Sequence, residues 1–174
     1  MNSKIRPDLL IAYFAAAAVA AHLLEAAIPG PGPWFKMGLA NIFTLVAFFH
    51  LGFSAAAVVS LIRVLAGSLA LGTFLSPTFF LSFSGAAGAV LVMGLISYLP
   101  FKVGPVGVSI LASLAHMVSQ VVAAWILIIG HDGIFLALPW FLIGSWFTGL
   151  LNGLLAFLIL TRIEKHQTLE MGWR

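Results

Sequence analysis

Arg63 is the side chain of this sequence with the clearest capacity for chemistry, because it interrupts the apolar run 54–71 near its middle. An arginine at the centre of a membrane-spanning helix costs at least about 2.5–3.5 kcal/mol unless it is paired or solvated. Its planar guanidinium can hold a carboxylate or phosphate through two parallel hydrogen bonds. Two interpretations stay open: an ion pair with Glu25, or an anion held in a cavity.

Other polar side chains occur in pairs with helical spacing. His22 and Glu25 are three residues apart, and His116 and Gln120 are four apart, so the members of each pair share one helix face. Further polar residues expected at similar depth are Asn41, Ser68 and Ser82. Because polar groups are expensive in lipid, their concentration at one depth predicts a pocket that opens toward one side of a membrane.

A metal site is the alternative use of these residues. His22, Glu25 and His116 could supply nitrogen and oxygen ligands, but the His-x-x-Glu spacing recurs by chance on many helices. A single buried histidine is more often a hydrogen-bonding core residue. The absence of cysteine excludes disulfides, thiolate ligands and a cysteine nucleophile. We therefore predict neither a metal nor a cofactor.

The composition identifies the environment in which these side chains must lie. Of the 174 residues, 62% are hydrophobic and 7% are charged, whereas a soluble domain carries roughly 25% charged residues. This excludes a soluble enzyme, a nucleic-acid-binding protein and a disordered chain. The formal net charge is +3, but the basic residues flank apolar runs, so they indicate topology and no nucleic-acid partner.

The apolar runs predict an all-α integral membrane protein, a bundle of six transmembrane helices in one domain, 1–174. The first run is too long for the core of a signal peptide, so we interpret it as a retained span. The breaks between runs are rich in proline and glycine, which end helices. The expected helices cover residues 9–28, 36–51, 54–71, 78–99, 106–129 and 134–161, followed by a short cytoplasmic tail, 162–174.

The basic residues predict the orientation of the bundle. Lysine and arginine concentrate on cytoplasmic sides. With the N-terminus inside, the inner side carries Lys4, Arg6, Lys102, Arg162, Lys165 and Arg174. The other side carries Lys36 alone. We therefore expect both termini in the cytoplasm, a location in the cell membrane and a pocket that opens outward. The polar residues expected in the inner half are His50, Ser60 and Asn152.

Small residues form stripes at helical spacing on three of the expected helices. The fourth helix carries one of these stripes in residues 84–89. Such stripes let a second helix approach closely in lipid, either within the chain or from a partner. The first stripe consists of Ala12, Ala16 and Ala20. The last helix has a similar stripe, formed by Ser145, Gly149 and Gly153. This stripe could join copies of the chain into a stand-alone carrier or channel.

Four stretches resemble the Gx transporter family, many of whose members are named heptaprenyl diphosphate synthase component I. Residues 36–45 read KMGLANIFTL, and residues 63–68 read RVLAGS. Residues 76–85 read SPTFFLSFSG, and residues 113–120 read SLAHMVSQ. They resemble the family signatures K-x-G-L-A-N, R-x-x-x-G-S, S-P-x-F-x-x-S-x-x-G and A-H-x-x-x-Q. The resemblance extends over residues 29–125.

The family is similar to the substrate-binding S-components of energy-coupling factor (ECF) transporters. The resemblance implies six helices, both termini inside, and an outward pocket that the loop 29–34 closes. It also implies that the alanine stripe docks onto a transmembrane coupling protein, while separate ATPases supply the energy. The family's polar motif positions, and hence the implied substrate-binding residues, are Lys36, Asn41, Arg63, Ser68, Ser82, His116 and Gln120.

The predicted function is capture of a small, anionic solute: a vitamin, a flavin, or an isoprenoid or quinone precursor. Prenyl-chain elongation needs paired aspartates to hold Mg²⁺ on a diphosphate, and this sequence has only Asp8 and Asp132, expected on opposite sides of the membrane. We therefore predict no enzyme. One alternative is a non-catalytic membrane subunit of a prenyl diphosphate pathway. The other is the homo-oligomeric carrier or channel.

Overall fold

Proline and glycine determine where most helices of this chain begin and end. In the computed structural model, which describes residues 6–28 and 38–172, three helices start with proline in their first turn, where the missing N–H costs nothing. Gly52, at φ 96°, separates two consecutive helices. The helices are α1 (Pro7–Ala27), α2 (Leu39–Leu51), α3 (Phe53–Ala70), α4 (Pro77–Ser97), α5 (Pro105–Ala124) and α6 (Leu138–Gly172).

Two short elements connect α5 to α6. A π-helical turn, Trp125–Ile129, prolongs α5, and a 3-10 helix, Asp132–Leu136, precedes α6. The indole Nε1 of Trp125 donates a hydrogen bond to Asp132 Oδ1 (3.0 Å), and the Trp125 ring lies against Phe135. These contacts fix the loop at the end of the bundle where α1 and α3 end and α4 and α6 begin, which we call the cavity end.

Five of the helices are long and apolar enough to cross a membrane: α1, α3, α4, α5 with its π turn, and α6. The prediction of an all-helical membrane protein is confirmed for the described residues. α2 is the exception, because its 13 residues rise only about 20 Å, less than the roughly 30 Å of a hydrocarbon core.

The observed helix bounds differ from the expected ones mainly at α2 and α6. α2 begins at Leu39 rather than at residue 36, after Gly38 with φ 75°. α6 begins four residues late, because a 3-10 helix takes up residues 132–136, and it continues to Gly172. The expected tail from 162 onward is therefore helical through Gly172. Lys36 and the loop 29–34 lie outside the described residues.

The core is built around α2. Leu45 and Val46 of α2 are fully buried and pack in one cluster with Met93 of α4, Val108 of α5 and Ala156 of α6. A second cluster joins α1, α2 and α3 through Ala15, Ala18, Ala47 and Val59. α2 thus connects α1 and α3 with the α4–α5–α6 layer, and its position determines where its N-terminus points.

The small-residue stripe of α6 is used inside the chain. Gly149 lies against the backbone of Ile110, and Gly153 lies against the backbone of Val106 on α5. Ser145 donates a hydrogen bond to the carbonyl of Ser113 (3.1 Å). Because α5 already covers this stripe, the expected self-association through it has no free surface.

Replacing Gly153 by Ala is expected to destabilise the fold. The added Cβ would lie 2.7 Å from Val106 Cα and 3.0 Å from Ser109 Cβ, and neither atom can move without shifting α5. Overpacking of this kind costs about 1–3 kcal/mol. The matched control is Gly104→Ala, where nothing lies within 4 Å of the new Cβ. Thermal unfolding in detergent should show a lower midpoint for Gly153→Ala alone; equal midpoints would contradict the α5–α6 contact.

Candidate functional site

A cavity of about 310 Å³ lies between the helices at the cavity end. Its volume falls within the range of small-molecule sites, about 300–1,000 Å³. All six α-helices contribute to its wall, so the cavity depends on the whole bundle. The predicted polar residues that the structure brings together in this wall are His22, Glu25, Asn41, Arg63, Ser82, His116 and Gln120.

Two predicted site residues are not part of the described cavity wall. Ser68 is buried, and its hydroxyl donates to the carbonyl of Leu65 (2.9 Å). The carbonyl of Ser68 accepts from the backbone N–H of Thr73 (2.8 Å). Ser68 therefore helps to end α3 and does not line the cavity. Lys36 lies among the residues that the structure does not describe.

Arg63 is the basic residue of the described cavity wall. It projects from α3, and only 6% of its surface is exposed. Its Nε has no hydrogen-bond partner among the described residues. Glu25 lines the same cavity, but no salt bridge within 4.0 Å joins these two described residues. The cavity wall therefore contains a buried guanidinium without a direct ion pair among the described residues.

Glu25 has a structural partner that the sequence did not indicate. Its carboxylate Oε1 accepts a hydrogen bond from the backbone N–H of Leu39 (2.7 Å), the first residue of α2. The first N–H groups of a helix have no partner within the helix, and a carboxylate there is further stabilised by the helix dipole. Glu25 thus holds the N-terminus of α2 against α1.

The N-terminus of α2 also has a partner on α6. Asn152 of α6 donates from Nδ2 to the carbonyl of Gly38 (3.3 Å), which also accepts from the N–H of Asn41 (2.8 Å). The N-terminal turn of α2 is thus held by α1 and α6, and it faces the cavity through Gly38 and Asn41.

The two histidines of the cavity each lie against a glycine on a neighbouring helix. A Cβ at Gly67 would come within 2.5 Å of His22 Cδ2, and a Cβ at Gly85 would come within 2.5 Å of His116 Nε2. The glycines leave the space that the imidazole rings occupy. Among the residues described, no group of three histidine, cysteine, aspartate or glutamate side chains could hold a metal ion.

One face of α6 belongs to the site and was not predicted. Ser145, Thr148 and Asn152 all line the cavity. Their spacing of three and four residues places them on one helix face, which was a signal available in the sequence. It was missed because Asn152 was expected in the inner half and Ser145 was interpreted as part of a packing stripe.

Fold and site together define the class: a multi-pass helical membrane protein with a cavity among its helices, into which several polar side chains project. The chain belongs to the heptaprenyl diphosphate synthase component I family, whose model matches residues 14–159. This match confirms the family resemblance indicated by the four motifs. Searches of curated proteins and of solved structures found no match.

Proposed function

We propose that this protein binds a small anionic solute in the cavity and passes it across the membrane. The observation that carries the proposal is Arg63, a buried cation without a salt bridge among the described residues, in the wall of a cavity of about 310 Å³. A charge in this position is too costly to serve only packing. A carboxylate or phosphate group in the cavity would supply its counter-charge and accept hydrogen bonds from the guanidinium.

The remaining polar residues fit the roles of hydrogen-bonding partners in this proposal. Asn41, His116 and Gln120 line the same cavity on α2 and α5, where they would orient the uncharged part of the solute. Lys36 stays a predicted substrate-binding residue and lies outside the described residues. Apolar side chains complete the wall, as is usual for small-molecule sites.

We further propose the topology that solute capture needs. All six α-helices would lie in the membrane, with α2 reaching only part of the way across it. Both termini would lie in the cytoplasm, because lysine and arginine concentrate on the side of Lys102 and Arg162. The cavity end would then face outward, and the protein would act as the S-component-like subunit of an ECF-type importer whose ATPases are separate proteins.

A second candidate rests on the family description. The name suggests a non-catalytic membrane subunit that accompanies a prenyl diphosphate synthase. A prenyl diphosphate would present an anionic head to Arg63. A cavity of about 310 Å³ corresponds to the volume of about ten liquid waters. A prenyl chain bound there would therefore extend out of the cavity between the helices.

Native mass spectrometry of the protein, purified gently from its own host without added ligand, should show a retained anionic solute. That adduct would identify the solute class, and its loss in an Arg63 variant would locate it at the cavity. A ligand-free mass accompanied by a prenyltransferase subunit would favour the second candidate. A ligand-free mass without any partner would contradict both.

A further inference from the structure

The described cavity wall contains one arginine and one carboxylate, together with the histidines His22 and His116. Only 6% of the surface of Arg63 is exposed, and Glu25 of α1 is also buried. The two side chains line one cavity without forming a salt bridge within 4.0 Å. The carboxylate therefore offsets part of the charge of Arg63 in the cavity without holding the guanidinium in a direct ion pair.

Glu25 also partly neutralises the positive end of the α2 helix dipole, which faces the cavity. The N-terminal turn of α2 faces the cavity, and a helix N-terminus carries about half a positive charge. Its first donor, the N–H of Leu39, is already bonded to Glu25 Oε1 at 2.7 Å. Glu25 thus lies between the two groups that attract an anion and reduces the field of both.

We propose that Glu25 is a specificity-determining residue, which restricts the anionic group bound at Arg63 and the α2 N-terminus to a single negative charge. This inference rests on the proposed function. A monoanion finds one guanidinium and the free part of a helix N-terminus, so its charge is compensated. A second negative charge on the same group faces the Glu25 carboxylate, and Arg63 is the only lysine or arginine of the described wall. Like charges placed together in a binding site weaken binding strongly.

The test compares two ligands of one shape that differ in charge. Phenyl sulfate carries a single negative charge, whereas phenyl phosphate at about pH 7.5 carries about −2. Their dissociation constants are measured by calorimetry with the purified full chain in detergent. The wild type should bind phenyl sulfate more tightly. In Glu25→Gln, the ratio of the dissociation constant of phenyl phosphate to that of phenyl sulfate should fall by about tenfold. A tenfold change corresponds to about 1.4 kcal/mol.

Glu25→Gln is suited to this test because glutamine can keep the hydrogen bond that Glu25 makes with Leu39. The amide oxygen of glutamine can accept the same hydrogen bond from Leu39 N–H, so α2 keeps its N-terminal partner while the negative charge is removed. The matched control is Asp132→Asn, which removes a carboxylate at the cavity end outside the cavity wall. Its Oδ1 can still accept from Trp125, and the ligand preference should not change.

The inference would be overturned by an unchanged preference in Glu25→Gln, by tighter binding of phenyl phosphate to the wild type, or by an equal shift in Asp132→Asn. Failure of both ligands to bind would also overturn it. If the native protein nevertheless retains an anionic solute, the proposed function stands and only the proposed role of Glu25 fails. If it retains none and binds neither ligand, the proposed function fails as well.

Discussion

Replacing Arg63 by Gln is expected to abolish most solute binding while leaving the fold intact or more stable. Hydrogen bonds to charged groups contribute about 1.5–3 kcal/mol each. Loss of a bidentate contact should therefore weaken binding by about 100-fold or more. A buried guanidinium with an unused Nε donor lowers stability, so its removal should not lower the unfolding midpoint. Calorimetry with the co-purified solute and thermal unfolding of the same sample measure both quantities.

Two further variants separate the charge of Arg63 from its shape. Arg63→Lys keeps the charge but loses the planar pair of donors, so its affinity should lie between those of the wild type and Arg63→Gln. Arg162→Gln is the control, because it removes an exposed charge of α6 away from the cavity. A large fall in the unfolding midpoint of Arg63→Gln with unchanged affinity would contradict the proposal and indicate a structural cation.

Much of the site could be predicted because polar side chains are conspicuous in an apolar sequence. Arg63, His116 and Gln120 stand out in runs where lipid or protein must surround every position, and the structure brings all three to one cavity. Helical spacing then paired His22 with Glu25. The all-helical fold followed from the length of the apolar runs, which is a strong signal in membrane proteins.

What the sequence could not provide is the residue at which α2 begins. Residues 36–51 read as one short span, and no periodicity indicates that the helix starts at Leu39 beside Asn152. That start depends on two contacts across the bundle, Glu25 to Leu39 and Asn152 to Gly38. Contacts between residues separated by 14 and 114 positions have no local signature. Ser68 was predicted as a site residue because it matches the family signature R-x-x-x-G-S. The sequence does not indicate that its hydroxyl is bonded to Leu65 within α3.

The second substitution with a large expected effect is in the alanine stripe of α1. Ala15 and Ala18 pack against α2 and α3, whereas Ala12, Ala16 and Ala20 are exposed on another face of the same helix. We propose that this free stripe docks onto the coupling protein of an ECF-type importer, because small residues permit close approach of a second helix in lipid. The indole in Ala16→Trp would hold such a helix several ångströms away.

Ala16→Trp is therefore expected to reduce solute uptake by reconstituted vesicles that contain the coupling protein and ATPases to the level of vesicles without this chain. Solute binding by the isolated variant should stay at wild-type affinity, because Ala16 does not line the cavity. Leu91→Trp is the control, since Leu91 is 63% exposed on α4 and faces the surroundings without a small-residue stripe. Normal uptake by Ala16→Trp would contradict docking through α1, and equal loss in both variants would indicate that added bulk in lipid, rather than a partner contact, is responsible.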